Sequence, residues 1–220
     1  MEIIVTDHHN PKEELPNAYA IINPKMIDTD YPFAGLAGVG VAYKLLIGIY
    51  RQMGKDSKEL AEKFVDLVAL GTIADIVPLT SENRIFAAMG LERLKKKKNI
   101  GLNAMIGIAG LSHKELNSAD IVFGIAPRIN AAGRMGSALR AVELMTSVDE
   151  DESTELAQII ERENSLRQQI DQRTFREACE IIEKKYPNMD EVFCIVVSSY
   201  GWHQGVIGIV SSLGLPFTRD

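Results

Sequence analysis

Residues 2–6, EIIVT, place three consecutive aliphatic side chains and a threonine before Asp7, His8 and His9. A short, continuous, largely β-branched run of this kind predicts a strand covered on both faces, as in a parallel sheet. A second run, AYAIINP (18–24), predicts another strand, closed by the turn signal Asn23-Pro24. From Gly35 the period becomes helical, with Val39, Ala42, Tyr43, Leu46 and Ile49 recurring at spacings of three and four. A second helix is expected from about Ser57, where Asp56 and Glu59 have capping-box spacing. Leu60, Phe64, Leu67, Val68 and Leu70 carry it to about Gly71, and Pro78 prevents continuation. A third helix is expected over about 82–94, and short helical pieces over 100–147.

The stretch 151–186 has one apolar face, made by Leu156, Ile159, Ile160, Leu166, Ile170, Ala178, Ile181 and Ile182, and is otherwise heavily charged. It predicts one long helix bridging two domains through solvent. EVFCIVVSS (191–199) predicts a buried strand that opens a second α/β unit, and LGLPFTRD (213–220) breaks that unit at Pro216. Strands first, with helices between them, argue for an open α/β sheet. Ligands in such sheets sit at the carboxyl ends of strands, which is where Asp7, His8 and His9 stand.

A 220-residue chain that is 46% hydrophobic and 25% charged can build a sizeable core. No apolar run is long enough to span a bilayer, and no charged segment followed by an apolar stretch marks secretion, which points to the cytoplasm and to no membrane partner. Cys179 and Cys194 are the only cysteines, form no C-x-x-C, and read as reduced structural thiols. The net charge of −6 argues against indiscriminate coating of duplex DNA. It leaves room for a local cationic groove, with basic residues concentrated in RLKKKKN (93–99) and at Arg128, Arg134 and Arg140.

Four stretches could carry chemistry. Imidazole and carboxylate at a strand end suit a hard divalent ion such as Mn²⁺ or Mg²⁺. The side chains of neighbouring residues diverge, so one of His8 and His9 would coordinate and the other would face a substrate. A polar strand-to-loop turn capped by Asp7 explains the same residues. In LVALGTIADIVPL (67–79), Asp75 lies among apolar residues just past a helix, where a carboxylate is costly unless paired, hydrogen-bonded or metal-bound; an Asx-turn is the plainer account. In APRINAAGRMGSALRA (126–141), Arg128 and Arg134 flank Asn130 and small residues that would let a phosphate approach. Ordinary surface arginines at helix ends fit equally well. In SSYGWHQGVIGIV (198–210), a strand, a Gly-Trp-His turn and a helix start could bind an anion on backbone N–H groups, with His203 adding charge and Trp202 stacking on a base. A tight turn with Trp202 as core filler is the alternative. The three glycines of GLAGVGVAYKLL (35–46) lack a P-loop Lys-Ser/Thr and are read as close helix packing; Lys95–Lys98 are read as a solvated helix end and His113 as surface.

Taken in order, VTDHH, LGTIADIVPL, PRINAAGRM and GWHQGVIGIV resemble the DHH phosphoesterase family, and within it the RecJ-type single-strand-specific exonucleases. The resemblance covers nearly all of residues 1–210. It implies a partial parallel-sheet DHH domain with its helical region (1–150), a helical connector (151–187) and the start of a second small α/β domain (188–220). It also implies that His8 and Asp75 ligate one metal of a two-Mn²⁺ or Mg²⁺ site, with Asp7 orienting the pair and His9 facing the scissile phosphate. Arg128, Asn130 and Arg134 would lie along a single-stranded DNA path, and Gly201, His203 and Gly205 would hold a phosphate near the 5′ end. The implied activity is 5′-to-3′ exonucleolytic hydrolysis in DNA repair and recombination, with single-strand-binding protein as a partner.

The family's earlier motifs, an Asp-x-Asp-Gly loop and a further bridging Asp, precede D-H-H, and no residues before Met1 supply them here. The expectation is therefore an internal fragment with little or no nuclease activity by itself. Two other readings are a DHH phosphoesterase for short oligonucleotides or pyrophosphate, and a non-catalytic single-strand-binding module.

Overall fold

A computed structural model describes residues 1–189 and 192–213. Within it the chain is mixed α/β, mostly helical, and it divides into two compact units. The first comprises Met1–Asn99 and Ala109–Ala126; the second comprises Ile100–Ile108 and the chain from Pro127 onward.

In the first unit, β1 (Ile4–Thr6) pairs in parallel with β2 (Ala20–Ile22), Val5 facing Ile21. The ladder continues at both ends, because Tyr19 N–H donates to Ile3 O (2.8 Å) and Asp7 N–H donates to Ile22 O (3.0 Å). The strand at the start of the chain forms as expected, but it is not buried. Ile3 and Ile4 are 48% and 52% exposed, and only Val5 is half-buried. Each strand of a two-stranded sheet has one neighbour, so both are edges and their outer groups meet water.

α1 (Gly38–Gln52), α2 (Lys58–Ala74) and α3 (Ser81–Leu94) follow, and α1 packs on β1. Their core is Leu36, Val41, Tyr43, Leu60, Val68 and Phe86, with Tyr43 edge-on to Phe86 at 5.5 Å between centroids. Asp56 does cap the start of α2, accepting the Lys58 N–H at 2.9 Å. The expected stop at Gly71 is a continuation: α2 runs on to Ala74. A Cβ at Gly71 would lie 2.9 Å from Val39 Cγ1, so this glycine permits α1 to approach α2 and does not end the helix. The unit closes with a π-helical turn, Asp120–Ile125, whose Ile121 and Ile125 are fully buried.

The second unit holds α4 (Ile100–Ile108), α5 (Ala126–Met135, entered from the last residue of the first unit), α6 (Leu139–Thr146), α7 (Glu150–Lys185) and α8 (Gln204–Ser212). α4, α6 and α8 pack on α7. Asp149 caps α7 by accepting the Glu152 N–H at 2.8 Å. Acidic residues in its first turn and Lys184 and Lys185 in its last complement the helix dipole. The buried face of α7 includes Ala157, Ile160, Ala178 and Ile182, but also Ser153, Asn164 and Thr174.

The strand expected over 191–199 does not form across the described residues 192–199. Their backbone takes no regular form and pairs with no strand among the described residues; the Val196 carbonyl accepts from Lys185 Nζ (3.0 Å) and from the Tyr186 hydroxyl (3.4 Å) instead. An apolar run becomes a strand only where another strand satisfies its N–H and C=O groups. Glu191 and the break expected at Pro216 lie outside the described residues.

Candidate functional site

Where β1 ends, Asp7 folds back on the two residues that follow it. Its Oδ1 accepts the backbone N–H of His8 (2.7 Å), the backbone N–H of His9 (3.2 Å) and the ring Nδ1 of His9 (2.8 Å). The His9 ring, then the two backbone N–H groups, hold the Asp7 carboxyl at about 2, below its usual 3.8. The turn is also held from outside: the buried amide of Asn23 donates to the His9 carbonyl (2.9 Å) and accepts the Lys25 N–H (3.0 Å). The side chains of adjacent residues are expected to diverge, but the two imidazoles lie in tilted contact, their centroids 4.4 Å apart, because Asp7 turns the His9 ring back toward the strand end. The His8 side chain is 16% exposed and that of His9 77%.

Asp75 caps the carboxyl end of α2, its N–H donating to Gly71 O (3.1 Å). The chain then turns sharply through Ile76, a β-branched residue at φ 57. The Asp75 side chain is 40% exposed, so the cost expected for a carboxylate among apolar neighbours does not arise: a helix-end position turns it toward water. Its Oδ2 lies 3.5 Å from His8 Nδ1. That is too long for a strong hydrogen bond. It is close to the spacing of two donors on one cation, about 3 Å for metal–ligand bonds of about 2.1 Å at right angles. The carboxylate suits Mn²⁺ or Mg²⁺, and the imidazole nitrogen beside it favours the transition ion of the two, Mn²⁺. Among the described residues no group of three or more His, Cys, Asp or Glu gathers around a common point, so the pair supplies two protein donors, and water is the natural complement for a hard ion.

The other candidate residues lie in the second unit. On α5, Arg128 Nε is 2.5 Å from Glu161 Oε2 on α7, so its guanidinium is engaged by a carboxylate. Asn130 is exposed on the same helix. Arg134 is exposed and donates from Nη1 to Gly205 O (2.9 Å). His203 caps α8, its Nδ1 accepting the Gly205 N–H at 3.1 Å. That bond assigns the ring proton of the neutral form to Nε2. Gly201, at φ +91, takes a left-handed turn that favours glycine. At Gly205 a Cβ would fall 2.6 Å from the Arg134 carbonyl oxygen, so only glycine allows α8 to meet the end of α5. Trp202 is core filler, packed with Ala178, Val206 and Val210 while its Nε1–H donates to Glu177 (2.9 Å).

The structure thus gathers Asp7, His8, His9 and Asp75 in one unit, and Arg134, Gly201, His203 and Gly205 in the other. Sequence reasoning missed two supporting amides. In the sequence Asn23 signals only a turn before Pro24. Asn83, fully buried on α3, donates to Gly35 O (2.7 Å) and to Pro78 O (3.1 Å), the latter just past Asp75. An Asn before Pro, or in the first turn of a helix, carries no signal of such a role until its long-range partners are known.

Residues 1–72 match the family model described as DHH family, N-terminal domain. The chain is 43% identical over 212 residues to the single-stranded-DNA-specific exonuclease RecJ of Bacillus subtilis, a match covering 96% of this chain and 26% of that protein. Crystal structures of Thermus thermophilus RecJ in complex with Mn²⁺ and with Mg²⁺ match with TM-scores of 0.80 and 0.77, each at 32% identity, over 96% and 95% of this chain and 30% of theirs. The chain therefore spans about a quarter to a third of the length of these relatives. These matches, together with a D-H-H turn at the carboxyl end of a parallel strand, show a DHH-family N-terminal domain over residues 1–72 of a chain that is similar, along nearly its whole length, to part of the RecJ exonucleases.

Proposed function

We propose that this chain serves metal-dependent hydrolysis of phosphodiester bonds in single-stranded DNA, the activity named for the RecJ proteins it resembles. The observation that carries the reading is the His8–Asp75 pair, two donors of different elements held 3.5 Å apart at a strand end. They would hold Mn²⁺ or Mg²⁺, the ions present in the Thermus RecJ crystals. A bound ion supplies Lewis-acid polarisation of a phosphoryl oxygen and a more acidic water. Asp7 fixes the orientation of His9 through Nδ1, leaving the opposite edge of an exposed imidazole to face the scissile phosphate.

On the second unit, Arg134 spends one of its five donors on Gly205 and keeps the others for a phosphate backbone. His203 offers Nε2–H beside Gly201 and Gly205 for a 5′ phosphate. Asn130 and Arg128 continue this DNA path, Arg128 by exchanging Glu161 for a phosphate. No helix among the described residues is long and apolar enough to cross a membrane. The same reading brings a cytoplasmic setting and single-strand-binding protein as a partner.

The test is Mn²⁺-dependent binding of a fluorescent single strand by the purified chain, beside the same sequence as a duplex. The reading expects tighter single-strand binding with Mn²⁺, loss of that Mn²⁺ effect in His8→Ala and Asp75→Ala, and weakening with salt. Equal affinity for the duplex, or an Mn²⁺ effect that survives both substitutions, overturns it.

A further inference from the structure

The glycines of GLAGVG (35–40) have different neighbours in space. A Cβ at Gly35 would meet the Phe33 ring, and one at Gly40 would meet Leu36 and Phe86; both are ordinary packing. A Cβ at Gly38, the first residue of α1, would instead lie 3.2 Å from His8 Cδ2 and 3.6 Å from His8 Nε2. The Cδ2–Nε2 edge of an imidazole is the edge opposite Nδ1, and Nδ1 is the atom that faces Asp75. The His8 ring is therefore backed by the start of α1 on one side and faced by Asp75 on the other.

We infer that Gly38 is a positioning residue for the His8–Asp75 pair: the absence of a side chain at the start of α1 sets how deep the His8 ring sits, and so sets the donor spacing that a divalent cation meets. The inference rests on the reading of His8 and Asp75 as cation-holding donors. The backbone beneath the ring is tied to β2 on both sides, Asp7 N–H donating to Ile22 O and the His9 carbonyl accepting from Asn23, so the ring yields first by rotating about its side-chain bonds. Carbon atoms in ordinary contact stand about 3.5–4.0 Å apart. A methyl group at position 38 displaces the ring by a few tenths of an ångström, and hard divalent ions such as Mg²⁺ demand near-ideal ligand geometry.

This makes an unusual combination testable. Alanine is a better helix former than glycine, so Gly38→Ala has no reason to weaken α1. Gly48, in the same helix, has nothing within 4 Å of the position its Cβ would take, and Gly48→Ala is the matched control. The chain has four histidines, so ring signals of the full 220-residue chain can be followed one by one by NMR. The experiment titrates MnCl₂ into wild type, Gly38→Ala, Gly48→Ala and His8→Ala, reading paramagnetic broadening of the His8 and His9 rings and thermal unfolding of each metal-free protein.

The expected result is an Mn²⁺ affinity about tenfold lower in Gly38→Ala than in wild type or Gly48→Ala, the lower end of what supporting residues contribute at metal sites. The metal-free Gly38→Ala protein should show displaced His8 ring shifts and a Tm no lower than wild type. Wild-type Mn²⁺ binding that Gly38→Ala leaves unchanged overturns the positioning role alone. A Tm drop in Gly38→Ala that accompanies weaker binding also overturns it, since general loosening then explains both. No saturable broadening of the His8 ring in wild type overturns the cation reading, and the inference with it.

Discussion

Asp7 and His9 are joined twice, the carboxylate Oδ1 of Asp7 accepting from the His9 ring Nδ1 at 2.8 Å and from the His9 backbone N–H at 3.2 Å. With the His8 N–H as a third donor, one oxygen organises the whole D-H-H turn. These bonds favour the ionised carboxylate and hold its folded value at about 2 against an ordinary 3.8. A depressed folded value means that the stabilisation is complete above the ordinary value and fades as pH falls through the folded one. The turn is accordingly expected to stay ordered on acidification through 3.8 and to loosen as pH approaches 2. Carboxyl ¹³C titration of Asp7 checks this: a midpoint at the ordinary value would mean that the three N–H groups do not hold Asp7 in solution.

Glu82 tests a second carboxylate on the same unit. Burial alone would raise it, but hydrogen bonds from Lys44 Nζ and the Tyr31 hydroxyl, both at 2.5 Å, outweigh burial and hold it below its ordinary 4.5. Its contribution is therefore present above 4.5 and lost as pH drops below it. Urea unfolding at a series of pH values should show wild type losing more stability on acidification than Glu82→Gln, whose side chain does not titrate. Parallel curves would remove Glu82 from the acid response.

Asn83→Ala takes away the amide that ties Gly35 O and Pro78 O to α3. Pro78 is exposed and its carbonyl keeps the Thr80 N–H, so the loss is that of ordinary hydrogen bonds, about 1–2 kcal/mol in equilibrium unfolding. Hydrogen exchange should also quicken over 75–80, because the loop following Asp75 loses its tether. Unchanged exchange there would confine Asn83 to a general packing role.

Gly205→Ala forces a Cβ toward the Arg134 carbonyl oxygen at 2.6 Å, pushing α8 away from the end of α5. Overpacking of this kind costs about 1–3 kcal/mol. Gly208→Ala lies in the same helix with nothing within 4 Å and should be neutral or mildly stabilising. Denaturation of the two variants side by side makes the comparison, and equal effects would mean that α8 adjusts freely.

How much could be read in advance follows the range of the interaction. The helical period of Val39, Ala42, Tyr43, Leu46 and Ile49 and the capping by Asp56 act within a few residues, and α1 and α2 begin close to where these signals place them. Gly71 misled because a glycine near a helix end and a glycine under a neighbouring helix look alike in one dimension; only Val39, from α1, separates them. Trp202 was ambiguous for the same reason, and Glu177 together with the Ala178–Val206–Val210 cluster settled it as core.

The sequence by itself determined the local part of the D-H-H turn, in which Asp7 captures the N–H groups of the next two residues; Ile22 and Asn23, from the neighbouring strand end, hold it from outside. It also carried the likeness to the RecJ exonucleases, through four motifs in order. Tertiary structure alone decided the rest of the site. It brought Asp75 of α2 to 3.5 Å from His8 and set Gly38 behind the ring. It paired Arg128 with Glu161 and formed no strand over residues 192–199. The physical reason is that strand pairing, charge neutralisation and close approach each need a second partner, and here those partners lie tens of residues away along the chain.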